Sequence, residues 1–132
     1  MIVDASALVT IAIDEPGCEM LLQALSRSRI SRISAANLFE AWMVVDRRRI
    51  PGSSAVLDDT IRKAALIIEP VTLAQVHIAR EAYAQYGKGS GHPAKLNFGD
   101  CFAYALAKQS GEPLLFVGND FVHTDLVSAI AR

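Results

Sequence analysis

The chain lacks any surplus of charge. Thirteen basic residues stand against 14 acidic ones in 132, a formal net charge of -1. That balance excludes the electrostatic footprint of a duplex-binding protein, so any nucleic-acid role must rest on charge sorted into patches. Cysteine is scarce. Cys18 and Cys101 are the only two, and neither has metal-ligand spacing, which argues against a disulfide framework or a zinc site and for buried thiols in a reducing compartment. Long apolar runs are missing as well. The longest, such as residues 5–13, reach less than half of the roughly 20 residues that a membrane-spanning helix needs. Asp4 interrupts the N-terminus before a signal-peptide pattern can develop. The expected location is therefore cytoplasmic, with no membrane association. No repeat, low-complexity tract or linker divides the chain, so residues 1–132 are expected to form a single domain around one core.

Apolar side chains, in contrast, are plentiful. They make up 52% of the residues, and the mean hydropathy is +0.27. For so small a chain this predicts an exposed apolar patch that another chain covers. The pattern alternates short β-like runs with longer helical ones. Strands are expected at 1–4, 30–33, 66–71 and 114–117. Helices are expected at 6–13, 14–26, 34–49, 53–65, 72–86, 97–110 and 124–131, with a glycine-rich loop at 87–93. This order argues for α/β architecture with a parallel sheet covered on both faces. In such sheets ligands collect beyond the carboxyl ends of the strands.

Four acids interrupt the apolar stretches: Asp4 in MIVDASALV, Glu40 in ANLFEAWMVV, Asp100 in NFGDCFAYALA and Asp120 in LLFVGNDF. No Lys or Arg lies within three residues of any of them. Desolvated carboxylates without a compensating partner are costly. Each acid also has a plainer reading. Asp4 can cap the helix that follows it, although Ser6 can fill the same place. Asn37 with Glu40, and Asn97 with Asp100, fit capping arrangements. Gly118-Asn119-Asp120 is turn chemistry, and Asp125 either competes with Asp120 or caps the last helix. Together the four make a stronger case than singly, because clustered carboxylates repel and a shared cation removes that cost. Oxygen-only ligands suit Mg²⁺ or Mn²⁺ and point to phosphate chemistry.

The order of these acids resembles that of the PIN-domain nucleases, and most closely the VapC ribonuclease toxins of bacterial type II toxin–antitoxin pairs. The resemblance is carried by Met1-Ile-Val-Asp4-Ala-Ser6, by Asn-Leu-Phe-Glu40-Ala, by the stretch from Tyr86 through Asn97-Phe-Gly-Asp100-Cys-Phe to Lys108, and by Pro113-Leu-Leu-Phe-Val-Gly-Asn-Asp-Phe121. It covers essentially the whole chain. It implies a three-layer α/β/α PIN-like domain with a short, mostly parallel central sheet, Mg²⁺- or Mn²⁺-dependent RNA cleavage, a homodimer, and inhibition by a VapB-type antitoxin. Asp4 and Asp100 match the metal ligands, Glu40 the third acid, and Ser6 the small hydroxyl residue beside the first. Many relatives carry an acid three residues before the last Phe. Here that position is Gly118 and the acid stands at Asp120, so Asn119, Asp120 and Asp125 all remain candidates for the fourth place.

The expected chemistry is hydrolysis of RNA phosphodiester bonds by a metal-activated water, with Asp4, Glu40, Asp100 and Asp120 as the catalytic set. The glycine-rich loop carries Lys88, His92 and Lys95, suited either to substrate phosphates or to a plain connection. Arg47-Arg48-Arg49 suits a helix C-terminus as well as it suits RNA. Cys101, near a helix start, is a candidate for a lowered thiol pKa but has no His to serve it. Trp42, with Phe39, Met43 and Val44, reads as core, the alternative being a dimer or antitoxin contact. The competing function is a catalytically inactive PIN-fold protein-interaction module. A phosphoacceptor domain is disfavoured, since no Lys follows the last strand.

Overall fold

The computed structural model describes residues 1–131. In chain order the elements are β1 (Ile2–Val3), α1 (Ala5–Ala12), α2 (Cys18–Arg27), β2 (Arg32–Ser34), α3 (Ala35–Arg48), α4 (Ser53–Lys63), β3 (Ile67–Glu69), α5 (Leu73–Tyr86), α6 (Phe98–Ser110) and β4 (Leu114–Leu115). The four strands form one sheet in the order β3-β2-β1-β4. All pairings are parallel, with Ile2 opposite Arg32 and Leu114, Val3 opposite Leu115, and Ile33 opposite Ile68.

Alternation along the strands builds the two faces. Neighbouring strand residues point to opposite sides of a sheet. Val3, Ile33 and Leu115 enter one apolar cluster with Leu8 and Ile11 of α1, Leu21 and Leu25 of α2, Leu38 and Val45 of α3, and Leu57 of α4. Ile2, Leu114 and Phe116 enter the other, with Ala82 and Tyr86 of α5 and Cys101, Tyr104 and Leu106 of α6. The result is a three-layer α/β/α arrangement, as expected, with four helices on one face and two on the other.

The chain runs outward from β1 to β2 to β3 and then returns to place β4 on the far side of β1. The strand order therefore reverses at the β1–β4 junction. At such a point connections leave in opposite directions and open a crevice beyond the carboxyl ends. Asp4 follows β1 and residues 116–120 follow β4, so both enter that crevice.

Several elements differ from expectation. Residues 124–131 form no helix. Turns occupy 121–125, and Ser128 bridges to Leu114, so the strand edge takes up backbone groups that a helix would have paired internally. Asp4, not Ser6, caps α1 by accepting from the Ser6 amide. Ser34, not Asn37, caps α3. At the sheet edge Ile67 and Ile68 are exposed, so β3 is not covered on both faces. Phe39 is 66% exposed, Trp42 37% and Met43 46%. These residues are not core; they form an apolar outer face on α3. Among the described residues no helix is long and apolar enough to cross a membrane.

Candidate active site

Asp4 sits where β1 ends. Its backbone amide donates to Leu115 O at 2.9 Å, which ties it to β4. Its Oδ2 accepts from the Ser6 amide at 3.0 Å and from the Ser6 hydroxyl at 2.5 Å. The same hydroxyl oxygen accepts from Val117 N at 3.0 Å. Ser6 thus laces the end of β1 to the segment after β4, across the crevice. Asp4 is 4% exposed. Burial pushes its carboxyl up to about 6; the Ser6 bonds oppose this and the charge of Glu40 adds to it.

Asp100 is the third residue of α6. It completes a capping box, accepting from Asn97 N at 3.0 Å while its own amide donates to Asn97 Oδ1 at 2.9 Å. An ordinary box lies in water, whereas Asp100 is 8% exposed. Burial pushes its carboxyl up to about 7, against the Asn97 bond, with further upward pushes from Asp4, Asp120 and Glu40. One carboxyl group therefore feels the other three acids. The cap reading of Asp100 holds, and its burial beside other acids leaves the site reading open to the same residue.

Glu40 lies on α3, half-buried. Asn37 Nδ2 donates to its Oε1 at 3.2 Å and to Gly99 O at 2.9 Å. These bonds bring α3 against the first turn of α6. Asp120 is exposed, in the turn after Gly118, whose φ is +97°.

A PIN domain profile matches residues 1–126. The chain is 48% identical over 132 residues to ribonuclease VapC28 of Mycobacterium tuberculosis, covering 100% of this chain and 99% of that protein. It is 48% identical over 126 residues to ribonuclease VapC42 of the same organism, covering 96% of each. The chain belongs to the VapC ribonucleases of the PIN-domain family. Its fold is similar to that of the crystal structure of M. tuberculosis VapC20, a sarcin-ricin loop cleaving toxin, with a TM-score of 0.75, 16% identity and coverage of 96% of this chain and 95% of that one.

The carboxylates gathered here suit a hard divalent ion in type, being oxygen-only donors, with Asp4 and Asp100 desolvated. They are not drawn into a ready-made cage: among the described residues no three His, Cys, Asp or Glu side chains converge closely enough to hold one ion. One oxygen of each of Asp4, Glu40 and Asp100 is instead turned toward a protein donor.

The remaining candidates separate clearly. Asp125 is engaged elsewhere, accepting from Tyr104 at 2.7 Å and from Lys108 at 2.5 Å. Asn119 is exposed, and its carbonyl accepts from Val122 N at 3.3 Å in a turn. The loop bearing Lys88, His92 and Lys95 is pinned at its base, with Lys88 N on Leu96 O at 2.8 Å and Leu96 N on Tyr86 O at 2.9 Å. His92 packs edge-on against Tyr86 at 4.8 Å and accepts from Ala94 N through Nδ1. Lys88 and Lys95 are exposed. Burial, then Asp100, pushes the Cys101 thiol up to about 11, the reverse of activation. A cavity of about 760 Å³ lies between α1, α2 and α4 and is lined by none of the four acids. Sequence reasoning missed Asn37 as more than a cap, and Gly99 altogether. The signal was available in the spacing, since Asn37 and Gly99 stand three residues and one residue before Glu40 and Asp100.

Proposed function

We propose that Asp4, Glu40, Asp100 and Asp120 form the cleavage site of an endoribonuclease toxin that hydrolyses RNA phosphodiester bonds with the help of Mg²⁺ or Mn²⁺. The observation that carries this reading is the Asp100 carboxyl, raised by burial and by the charges of all three other acids. No Lys or Arg stands within three residues of any of the four along the chain, and the charges that raise the Asp100 carboxyl are all acids, which supports neutralisation by a bound ion.

Asp4 and Asp100 would hold the ion, which when bound supplies charge neutralisation at the phosphate and acidifies an attacking water. Glu40 accepts the proton of that water or orients it. Asp120, exposed at the crevice mouth, orients a further water. Ser6 keeps the Asp4 carboxylate in place. Hydrolysis breaks the bond from phosphorus to O3′ and leaves a 5′-phosphate and a 3′-hydroxyl. Lys88 and Lys95 are exposed to receive backbone phosphates, with His92 anchoring their loop on Tyr86.

In this reading residues 1–132 act as one PIN-like unit in the cytoplasm. A VapB-type antitoxin and a second copy of the chain are the expected protein partners. The apolar outer face of Phe39, Trp42 and Met43 supports protein contacts of that kind. Asp100→Asn tests the site. It should leave the fold intact by circular dichroism and slow Mn²⁺-supported cleavage of total RNA by at least about a thousandfold. Cleavage at the parental rate would remove Asp100 from the chemistry.

A further inference from the structure

Asn37 is fully buried, at 0% exposure. Its Nδ2 serves two acceptors on different helices, Glu40 Oε1 at 3.2 Å and Gly99 O at 2.9 Å. Those acceptors fix which way the amide faces, and its Oδ1 is left without a hydrogen-bond partner. A buried, unpaired carbonyl oxygen is destabilising, and an apolar side chain of similar volume would avoid it. Packing alone does not explain an asparagine here; the two donated bonds do.

Gly99 meets the same carboxylate from the other side. Its φ does not lie in the left-handed region, so backbone freedom is not the reason for glycine. Space is. A Cβ at this position would lie 2.2 Å from Glu40 Oε2, 2.8 Å from Cδ and 2.9 Å from Oε1. The Glu40 carboxylate therefore rests directly on the α6 backbone, one residue before Asp100. The start of a helix favours an anion. A half-buried glutamate otherwise has many rotamers open to it; here one oxygen is tied and the whole group is seated.

We infer that Asn37 and Gly99 are positioning residues that clamp the Glu40 carboxylate over the first turn of α6, beside Asp100, for RNA cleavage. The inference rests on the proposed role of Glu40 and adds the device that holds it. Neither residue touches substrate in this scheme; each acts through Glu40. A displaced Glu40 would still carry its charge but would no longer meet the reacting water, and misplacement of about 1 Å can cost on the order of a hundredfold in rate.

The test combines thermal unfolding without RNA or metal and cleavage of total RNA with Mn²⁺. Asn37→Leu keeps the volume and removes the donor. Its unfolding temperature should stay near the parental one, because relief of the unpaired Oδ1 offsets the two lost bonds, and yet it should cleave at least about tenfold more slowly. An unchanged rate, or a rate loss matched by a loss of stability, overturns the positioning role of Asn37. Gly99→Ala should lower the unfolding temperature in the parent, and leave or raise it in a Glu40→Ala background, where the collision is gone. Equal losses in both backgrounds show that the carboxylate does not occupy this seat and overturn the clamp. Glu40→Ala cleaving at the parental rate would remove Glu40 from the chemistry and with it the purpose of the clamp. The unfolding comparison would still report the seat separately, so the two failures are distinguishable.

Discussion

The two ends of α6 treat a carboxylate in opposite ways. At its start, Asp100 is buried among acids with no base beside it, and its carboxyl is pushed up to about 7 by burial and by like charge. Farther along the helix, Tyr104 and Lys108 receive Asp125 from the C-terminal segment. Burial there pulls upward too, but the bonds from Lys108 and Tyr104 hold Asp125 below the usual carboxylate range. The second arrangement is complete: each Asp125 carboxylate oxygen accepts a bond from the helix. The first is incomplete by the same measure. The Asp100 carboxylate accepts one bond, from Asn97 N, and the charges that raise it are all acids, a setting in which the proposed cation would relieve the repulsion.

The largest contrast should appear in the dependence of stability on pH. Asp4 and Asp100 have folded values of about 6 and about 7, above the unfolded 3.8. The native state keeps protons that the unfolded chain has already released. Their contribution is therefore fully present below about pH 4 and lost as pH rises through about 6 to 7. Asp100→Asn removes its share of that loss. Urea unfolding at pH 5 and pH 8, without divalent ions, should show the parent losing roughly 2 to 4 kcal/mol more than the variant across this interval. Parallel pH curves for the two proteins would mean that Asp100 is not desolvated in the way its burial implies.

Next in size is the effect of an ion. Mn²⁺ at about a hundred times its dissociation constant should stabilise the parent by about 2.7 kcal/mol. The gain should be greater at pH 8 than at pH 5, because protons compete for the same oxygens, and it should vanish in Asp4→Asn. Equal stabilisation of that variant would place the ion elsewhere.

The smallest effect belongs to the paired end. Tyr104→Phe removes the bond to Asp125 and should cost about 1 kcal/mol, with little change between pH 5 and pH 8 and with cleavage intact. A strong pH dependence there would erase the distinction between the two ends of the helix.

Much of this arrangement was readable along the chain. The alternation of short apolar runs with capped helices indicated a parallel α/β sheet, and the reversal of strand order puts the crevice where Asp4 and residues 116–120 meet. The motif around Asn97-Phe-Gly-Asp100 indicated a capping box, which is present, and the same Asp100 is buried as an ordinary cap is not. Three things were not readable. Residues 124–131 looked helical, but pairing of Ser128 with β4 decided otherwise. Phe39, Trp42 and Met43 looked like core because hydropathy does not say which side of a helix another element covers. Asp125 looked like a rival for the fourth acid until Tyr104 and Lys108 engaged it.

By itself the amino-acid order determined which carboxylates lack a neighbouring base in sequence, the alternation of strands and helices through β4, and which family the motifs resemble. Those are local properties, fixed by adjacent residues and their spacing. Only the tertiary structure decided that Glu40 rests on Gly99 with Asn37 behind it, and that Asp4, Glu40 and Asp120 all bear on Asp100 across a reversal in strand order. Electrostatic coupling and steric contact depend on distances in space, and no pattern of neighbours along a chain specifies those.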